Sequence, residues 1–274
     1  PLRFTRLPVL KEHYAMIGMA AAPEKFPLYA EAVNEKGLCM AGLNFPDNAV
    51  YRKEEAGMFN AASFEMIPWI LGSCGSVEEA AELLENTCVT DAAFSAGLPP
   101  APLHWMLADG RKCLVLEPVR TGLNILDNPI GVLTNNPPFE YHRWNLNQYL
   151  NLQAAPAVNR FAAGLGLKPC SQGVGGAGLP GDASSVSRFI RAAFLKWNSV
   201  SGSTEEENVS QFFHILDGVS MVRGSVVTPR GTWDITTYSC CVNAMRGIYY
   251  YKTYEDSRIR RIDMRENDLS GDSL

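Results

Sequence analysis

Three side chains in this sequence stand where amide and guanidinium groups can do acyl-transfer chemistry. Asn135 lies in Thr134-Asn135-Asn136-Pro137-Pro138, directly after the apolar run 130–133. Proline cannot donate to a sheet ladder and disfavours helical backbone at the residue before it. The run is therefore expected to be a strand that stops here and presents the two amides at its C-terminal lip. An amide held in this way can donate to an oxyanion, a contact worth about 3–4 kcal/mol of transition-state energy. The same side chain can instead satisfy only its own turn. Asn44 repeats the pattern in Gly42-Leu43-Asn44-Phe45-Pro46, at the end of another expected strand. Two amides released at strand ends beside proline point to a shared site. Arg188 falls in the first turns of an expected helix, where the dipole disfavours a cation. That placement points to a carboxylate partner or a functional role, against the alternative of a snorkelling surface arginine.

The elements that must position these residues can be read from pattern. Residues 13–21 read as a buried strand, and 28–45 as a strand pair around Asn34-Glu35-Lys36-Gly37, with glycine at the positive-φ position. A polar loop over 47–61 is a candidate lid. Helices are expected at 63–71 and 77–85, the second opened by a Ser76/Glu79 capping box. Residues 103–118 read as a hairpin turning at Asp109-Gly110, a type I′ signal, and 123–126 as one more strand. After the proline pair, Phe139, His142, Leu146 and Tyr149 share a helical face. The glycine-rich stretch 163–182 has no amphipathic period and lacks the GK[ST] ending of a phosphate loop; it reads as a substrate-flanking loop or as a plain connector. Residues 184–197 form a capped helix with Val186, Phe189, Ile190, Ala193, Phe194 and Trp197 inward, and 206–216 another. Strands return at 233–242, 248–254 and 259–264. Strands, helices, then strands in blocks argue for an α+β layered fold with antiparallel sheets.

Composition excludes several classes of function. The 274 residues are 46% hydrophobic and 19% charged, with a net charge of −5. That balance offers no electrostatic footprint for nucleic acid or an anionic membrane. No apolar run approaches the roughly 20 residues that span a bilayer. The seven cysteines make no CxxC pair and no Cys/His metal spacing, so neither a metal nor a cofactor is expected. Their scatter through apolar segments reads as free thiols in a reducing, cytoplasmic compartment.

Six runs together carry a resemblance: YAEAVNEKGLCMAGLNFP, LHWMLADG, NPIGVLTNNPPFEYHRWNLNQYL, GLPGDASSVSRFIRAAF, FFHILDGVSMVRGS and TTYSCCVNAMRGIYYYKTYE. In order and approximate spacing the chain resembles the choloylglycine hydrolase family, the conjugated bile salt hydrolases and penicillin V acylases, over nearly its whole length. The resemblance implies an N-terminal nucleophile hydrolase, an αββα sandwich with two antiparallel sheets between helical layers, as one domain over 1–274 and assembled as a homotetramer. It implies a mature N-terminal cysteine whose thiol attacks the amide carbonyl while its own α-amine transfers protons. Carried over residue by residue, Asn135 of LTNNP matches the oxyanion-side asparagine and Asn44 of AGLNFP the other active-site asparagine. Arg188 of SRFIR matches the arginine beside the nucleophile.

The sequence departs from that pattern at its start. It opens on Pro1, which reads as processed or truncated. The family's cysteine, with an aspartate and an arginine shortly after it, belongs to strands that would precede HYAMIGMA, and residues 1–9 match the tail of that region. A further strand is expected after a segment like 268–274. Cys39 is not expected to substitute, since it sits mid-strand without a free α-amine or a neighbour to lower its pKa. The chain as written is therefore expected to show no amidase activity, and its full-length form to cleave the amide of glycine- or taurine-conjugated bile acids. Penicillin V acylase is the alternative enzyme; Asn44 favours the bile salt branch, because the acylase branch often carries tyrosine there. A non-catalytic relative that binds bile acid is the alternative from another class.

Overall fold

The computed structural model describes residues 1–269, and the last five residues of the segment 268–274 lie outside it. The described chain divides into two compact units. One comprises residues 1–138 with the C-terminal strands from Thr237 on, the other Phe139–Thr236.

The first unit is built on a six-stranded antiparallel sheet, in the order β1 (Met16–Ala21), β2 (Leu28–Asn34), β3 (Cys39–Asn44), β6 (Leu103–Ala108), β7 (Cys113–Val119), β8 (Gly122–Asp127). Side chains alternate across a strand, so Met40, Trp105, Leu107, Leu114 and Leu116 share one face. They are buried there with Met66, Ile67, Ile70 and Leu71 of α1 (Met66–Ser73) and Val77, Ala80 and Leu84 of α2 (Val77–Glu85). Truncating one such leucine to alanine typically costs about 2–5 kcal/mol. Asn34 ties the sheet to α1. Its Oδ1 accepts from the Lys36 and Leu38 N–H groups, which closes the β2–β3 turn. Its Nδ2 donates to the Leu71 and Cys74 carbonyls, 2.8 Å each, at the C-terminal end of α1.

The opposite face carries Glu31, which is out of phase with Ala32. Its carboxylate accepts from the Tyr238 and Tyr249 hydroxyls, both at 2.5 Å. Burial, then the carboxylate, pushes the Tyr238 phenol above its ordinary range, and burial, then Cys240 and the carboxylate, does the same for Tyr249. These tyrosines belong to β9 (Tyr238–Asn243) and β10 (Ile248–Thr253), which with β11 (Arg260–Asp263) form a three-stranded antiparallel sheet. Helix, sheet and sheet thus lie in layers within this unit, the α+β arrangement expected from sequence.

Several local expectations are corrected. Residues 130–133 are not a strand. Asn128 makes the turn instead: Gly131 N donates to its Oδ1 at 2.9 Å, and its Nδ2 donates to the Val132 carbonyl at 3.0 Å. The β6–β7 connection is not a type I′ turn, because neither Asp109 nor Gly110 has a positive φ. Asp109 accepts from the Arg111 and Lys112 amides, and its second oxygen caps α2 through the Val77 N–H. Two short strands were not foreseen, β4 (Phe59–Ala62) and β5 (Thr87–Thr90), which pair in parallel. The strand expected over 233–242 begins only at Tyr238.

The second unit holds α3 (Phe139–Asn145), α4 (Ser185–Asn198) and α5 (Glu205–Asp217). Phe139, His142 and Phe189 are buried together, with the His142 ring stacked 4.6 Å from Phe189. Ser184 caps α4, and Thr204 with Glu207 forms a capping box on α5. Trp197 does not face inward; it is 65% exposed, with the Lys196 ammonium over its ring. No helix among the described residues is long and apolar enough to cross a membrane.

Candidate active site

The end of β3 is a hub. Beyond Asn44 the chain leaves the sheet, and Phe45 N–H donates to the Pro102 carbonyl at 2.7 Å. Asn135 Nδ2 donates to the Asn44 carbonyl at 2.9 Å, and Asn136 Nδ2 to the Pro46 carbonyl at 2.6 Å. Two consecutive amides therefore clasp alternate carbonyls of the 44–46 run across a separation of about ninety residues. The structure brings Asn44 and Asn135 together through the main chain of Asn44 and the side chain of Asn135. A primary amide has two N–H donors in one plane. The bond to Asn44 fixes that plane, which is what a preorganised oxyanion donor requires. The amides are presented by an Asn128-anchored turn, not by the strand end that the sequence suggested.

Phe26, Phe64 and Phe94 form an apolar cluster. The 91–102 segment is fastened where Tyr51 Oη accepts from Leu103 N–H and donates to the Ala101 carbonyl. Phe94 on that segment packs on Phe64 and Phe26, with ring centroids 5.2 and 6.0 Å away. Nothing in the sequence pattern singled out this trio.

Arg188 lies in the second unit. Its Nε donates to the Ala183 carbonyl at 3.0 Å, so the side chain folds back over the start of α4. Burial pulls its pKa below the ordinary guanidinium value, and Asp234 opposes that shift. Asp234 supplies the carboxylate partner that a cation near a helix N-terminus needs. Asp182 accepts from Ser184 N–H and Ser187 Oγ, and hydrogen bonds from the Ser184 side chain, the Ser187 side chain and the Ser184 N–H hold its carboxyl well below the ordinary range.

Cys39 is no nucleophile. Burial, then Asp109, pushes its thiol up to about 12, leaving almost no thiolate at neutral pH. The seven cysteines are free thiols. Among the described residues no group of three or more His, Cys, Asp or Glu could hold a metal ion.

A pair that sequence reasoning missed lies directly behind the hub. His104 and Glu117 are both buried, with Nδ1 and Oε1 3.4 Å apart. The imidazole stacks on Phe45, with ring centroids 4.3 Å apart and planes within 6°. A lone histidine in LHWML reads as strand filler, and only the β6–β7 pairing puts Glu117 beside it.

The sequence profile of the linear amide C-N hydrolases, choloylglycine hydrolase family, matches residues 2–274, across both units. The chain belongs to the choloylglycine hydrolase family. It is 46% identical over 274 residues to a bile salt hydrolase/transferase of Lactiplantibacillus plantarum, a match that covers 100% of this chain and 85% of that protein. The bile salt hydrolase/transferase of Clostridium perfringens is 41% identical over 97% of this chain and 81% of its own length. The conjugated bile acid hydrolase of Lactobacillus acidophilus is 33% identical over 100% and 87%. In structure, this family member superposes on a mutant conjugated bile acid hydrolase from Clostridium perfringens with a TM-score of 0.89, at 41% identity, over 96% of this chain and 80% of that one. The penicillin V acylase from Agrobacterium tumefaciens matches with a TM-score of 0.68 at 21% identity, over 88% and 68%, which shows a shared fold alone. The fold is of the N-terminal nucleophile hydrolase type implied by the resemblance.

Proposed function

We propose that this chain belongs to a bile salt hydrolase that cleaves the amide joining a bile acid to glycine or taurine. The observation that carries this reading is the identity of 33–46% to bile salt and conjugated bile acid hydrolases across essentially the whole chain. The acylase shares only the fold at 21%. In the family's chemistry an N-terminal cysteine thiol adds to the amide carbonyl; none of the seven cysteines here stands at position 1. The carbonyl electrons move onto oxygen, and Asn135 donates to that oxyanion. The C–N bond then breaks, the amine leaves with the proton taken from the thiol, and water hydrolyses the thioester to free the bile acid. Asn44 is assigned to the same reacting amide and Arg188 to the charge beside the nucleophile. The steps need no cofactor.

The reading is tested by incubating the complete gene product with glycocholate and taurocholate and quantifying free glycine and taurine by mass spectrometry. Release of the amine with equimolar free cholate supports it. Binding of either conjugate without any release would favour a non-catalytic relative and overturn it. We further propose a homotetramer, as the family resemblance implies, which sedimentation velocity of the pure protein checks. A cytoplasmic location is proposed from the free thiols, and fractionation of cells expressing the gene checks it.

A further inference from the structure

The His104–Glu117 pair is polar, fully enclosed and unused by the chemistry above. Burying a carboxylate and an imidazole is costly unless they are partnered, so their place inside the sheet calls for a reason. His104 lies opposite Leu43 in the β3–β6 ladder, next to the Asn44–Leu103 pair that ends it. Its Nδ1 faces Glu117, while Nε2 is buried and has no hydrogen-bond partner among the described residues. Its ring lies flat on Phe45, the residue between the two carbonyls held by Asn135 and Asn136.

We propose that His104 and Glu117 are positioning residues for the amide-hydrolysing site. Glu117 accepts the Nδ1 proton and so fixes the tautomer and the ring plane. The ring in turn holds Phe45, and through it the Asn44–Pro46 backbone to which the Asn135 amide is bonded. The chain of contacts runs from carboxylate to imidazole to phenyl to carbonyl to amide. The outer links are contacts present in the structure, and Phe45 is joined along the chain to the Asn44 carbonyl. An imidazole whose one donor is committed to a carboxylate cannot rotate without breaking that bond, whereas an apolar residue could settle into several packings. This explains why a polar pair occupies a site that hydrophobes would fill equally well. Its catalytic consequence rests on the proposed amide hydrolysis; its structural part does not.

The test uses the complete gene product with two substitutions. Glu117→Leu removes the acceptor, while Glu117→Gln retains one. Two readouts are compared: the side-chain amide resonance of Asn135 by NMR, and kcat and KM for glycocholate. Small displacements at a reacting centre cost up to about a hundredfold in rate. Glu117→Leu should therefore shift the Asn135 resonance and lower kcat about 10- to 100-fold, with KM little changed. Glu117→Gln should restore the resonance and most of kcat. A Leu variant matching wild type in both readouts, or Leu and Gln variants behaving alike, overturns the proposal. Should the Leu variant fail to fold, the histidine nitrogen shifts of wild type decide: His104 must be the Nδ1–H tautomer, and an Nε2–H tautomer contradicts the mechanism. If wild type hydrolyses no conjugate, the functional reading fails, and the two NMR readouts still test the positioning contacts without substrate.

Discussion

The Asn44–Asn135 hub and the start of α4 both hold a polar group in place, by opposite means. At the hub the amide is committed to main-chain carbonyls, and its direction follows from sheet geometry and the Asn128 turn. At α4 the Arg188 cation is held by a bond to the Ala183 carbonyl and by burial, opposite Asp234. The first is a directional device in which a change of one atom misplaces a donor. The second is an electrostatic device, where loss is graded by how much charge and reach survive. The contrast predicts different responses to substitution in the two regions.

The largest effect is expected at the hub. In the complete gene product, Asn135→Ala should lower kcat by about 10²–10³ with little change in KM, because an oxyanion donor bonds most strongly where charge develops. Asn135→Asp should be at least as damaging, since it sets a carboxylate against the oxyanion. Steady-state kinetics on glycocholate check both. An Ala variant altered only in melting temperature would make Asn135 a turn residue and erase the contrast.

A smaller loss is expected at α4. Arg188→Lys keeps the charge but loses the Nε–H that reaches Ala183 and the planar fork, so it is not conservative. A charge-assisted hydrogen bond is worth about 1.5–3 kcal/mol, and a drop in kcat/KM of about tenfold is the expected lower end. Activity equal to wild type would make Arg188 a surface cation.

Smaller still is the cap. Ser184 Oγ accepts from Ser187 N–H, and Ser184→Ala should cost about 1 kcal/mol, lowering Tm by a few degrees on calorimetry while leaving kcat intact. A loss of kcat without a change in Tm would show that the cap is part of the chemistry. The weakest effect is with pH. The folded pKa of Asp182 is depressed, so its contribution is present at neutral pH and above the unfolded carboxylate pKa. It is lost only as pH falls below the ordinary carboxylate range, towards the folded value. Asp182→Asn should therefore leave acid-limb stability less dependent on pH than in wild type, as urea titrations at several pH values would show. Identical pH dependence would remove Asp182 from the helix-start account.

Much of this was legible in the sequence where local pattern and tertiary structure agree. The β2–β3 hairpin, α2, α4 and α5 follow from glycine at the turn and serine or threonine at the caps. That Asn44 and Asn135 lie together was legible because proline follows both segments. What failed did so where one side chain overrode the pattern. Asn128 bends 130–133 out of any sheet, although its composition is that of a strand. Asp109 is spent on three amides, and the turn closes around Gly110 and Arg111 without the positive φ that a type I′ turn at Asp109-Gly110 requires. β5 is four residues long, too short to show a period. His104 and Glu117 are thirteen residues apart in sequence, and only the β6–β7 ladder brings them together.

The central claim is tested most directly by measuring kcat/KM of the complete gene product for glycocholate and for penicillin V under one set of conditions. Discrimination by an apolar pocket is commonly about 10- to 200-fold, and the account predicts a preference for glycocholate of at least that lower size. A preference for penicillin V, or turnover of neither substrate by a folded protein, would contradict it.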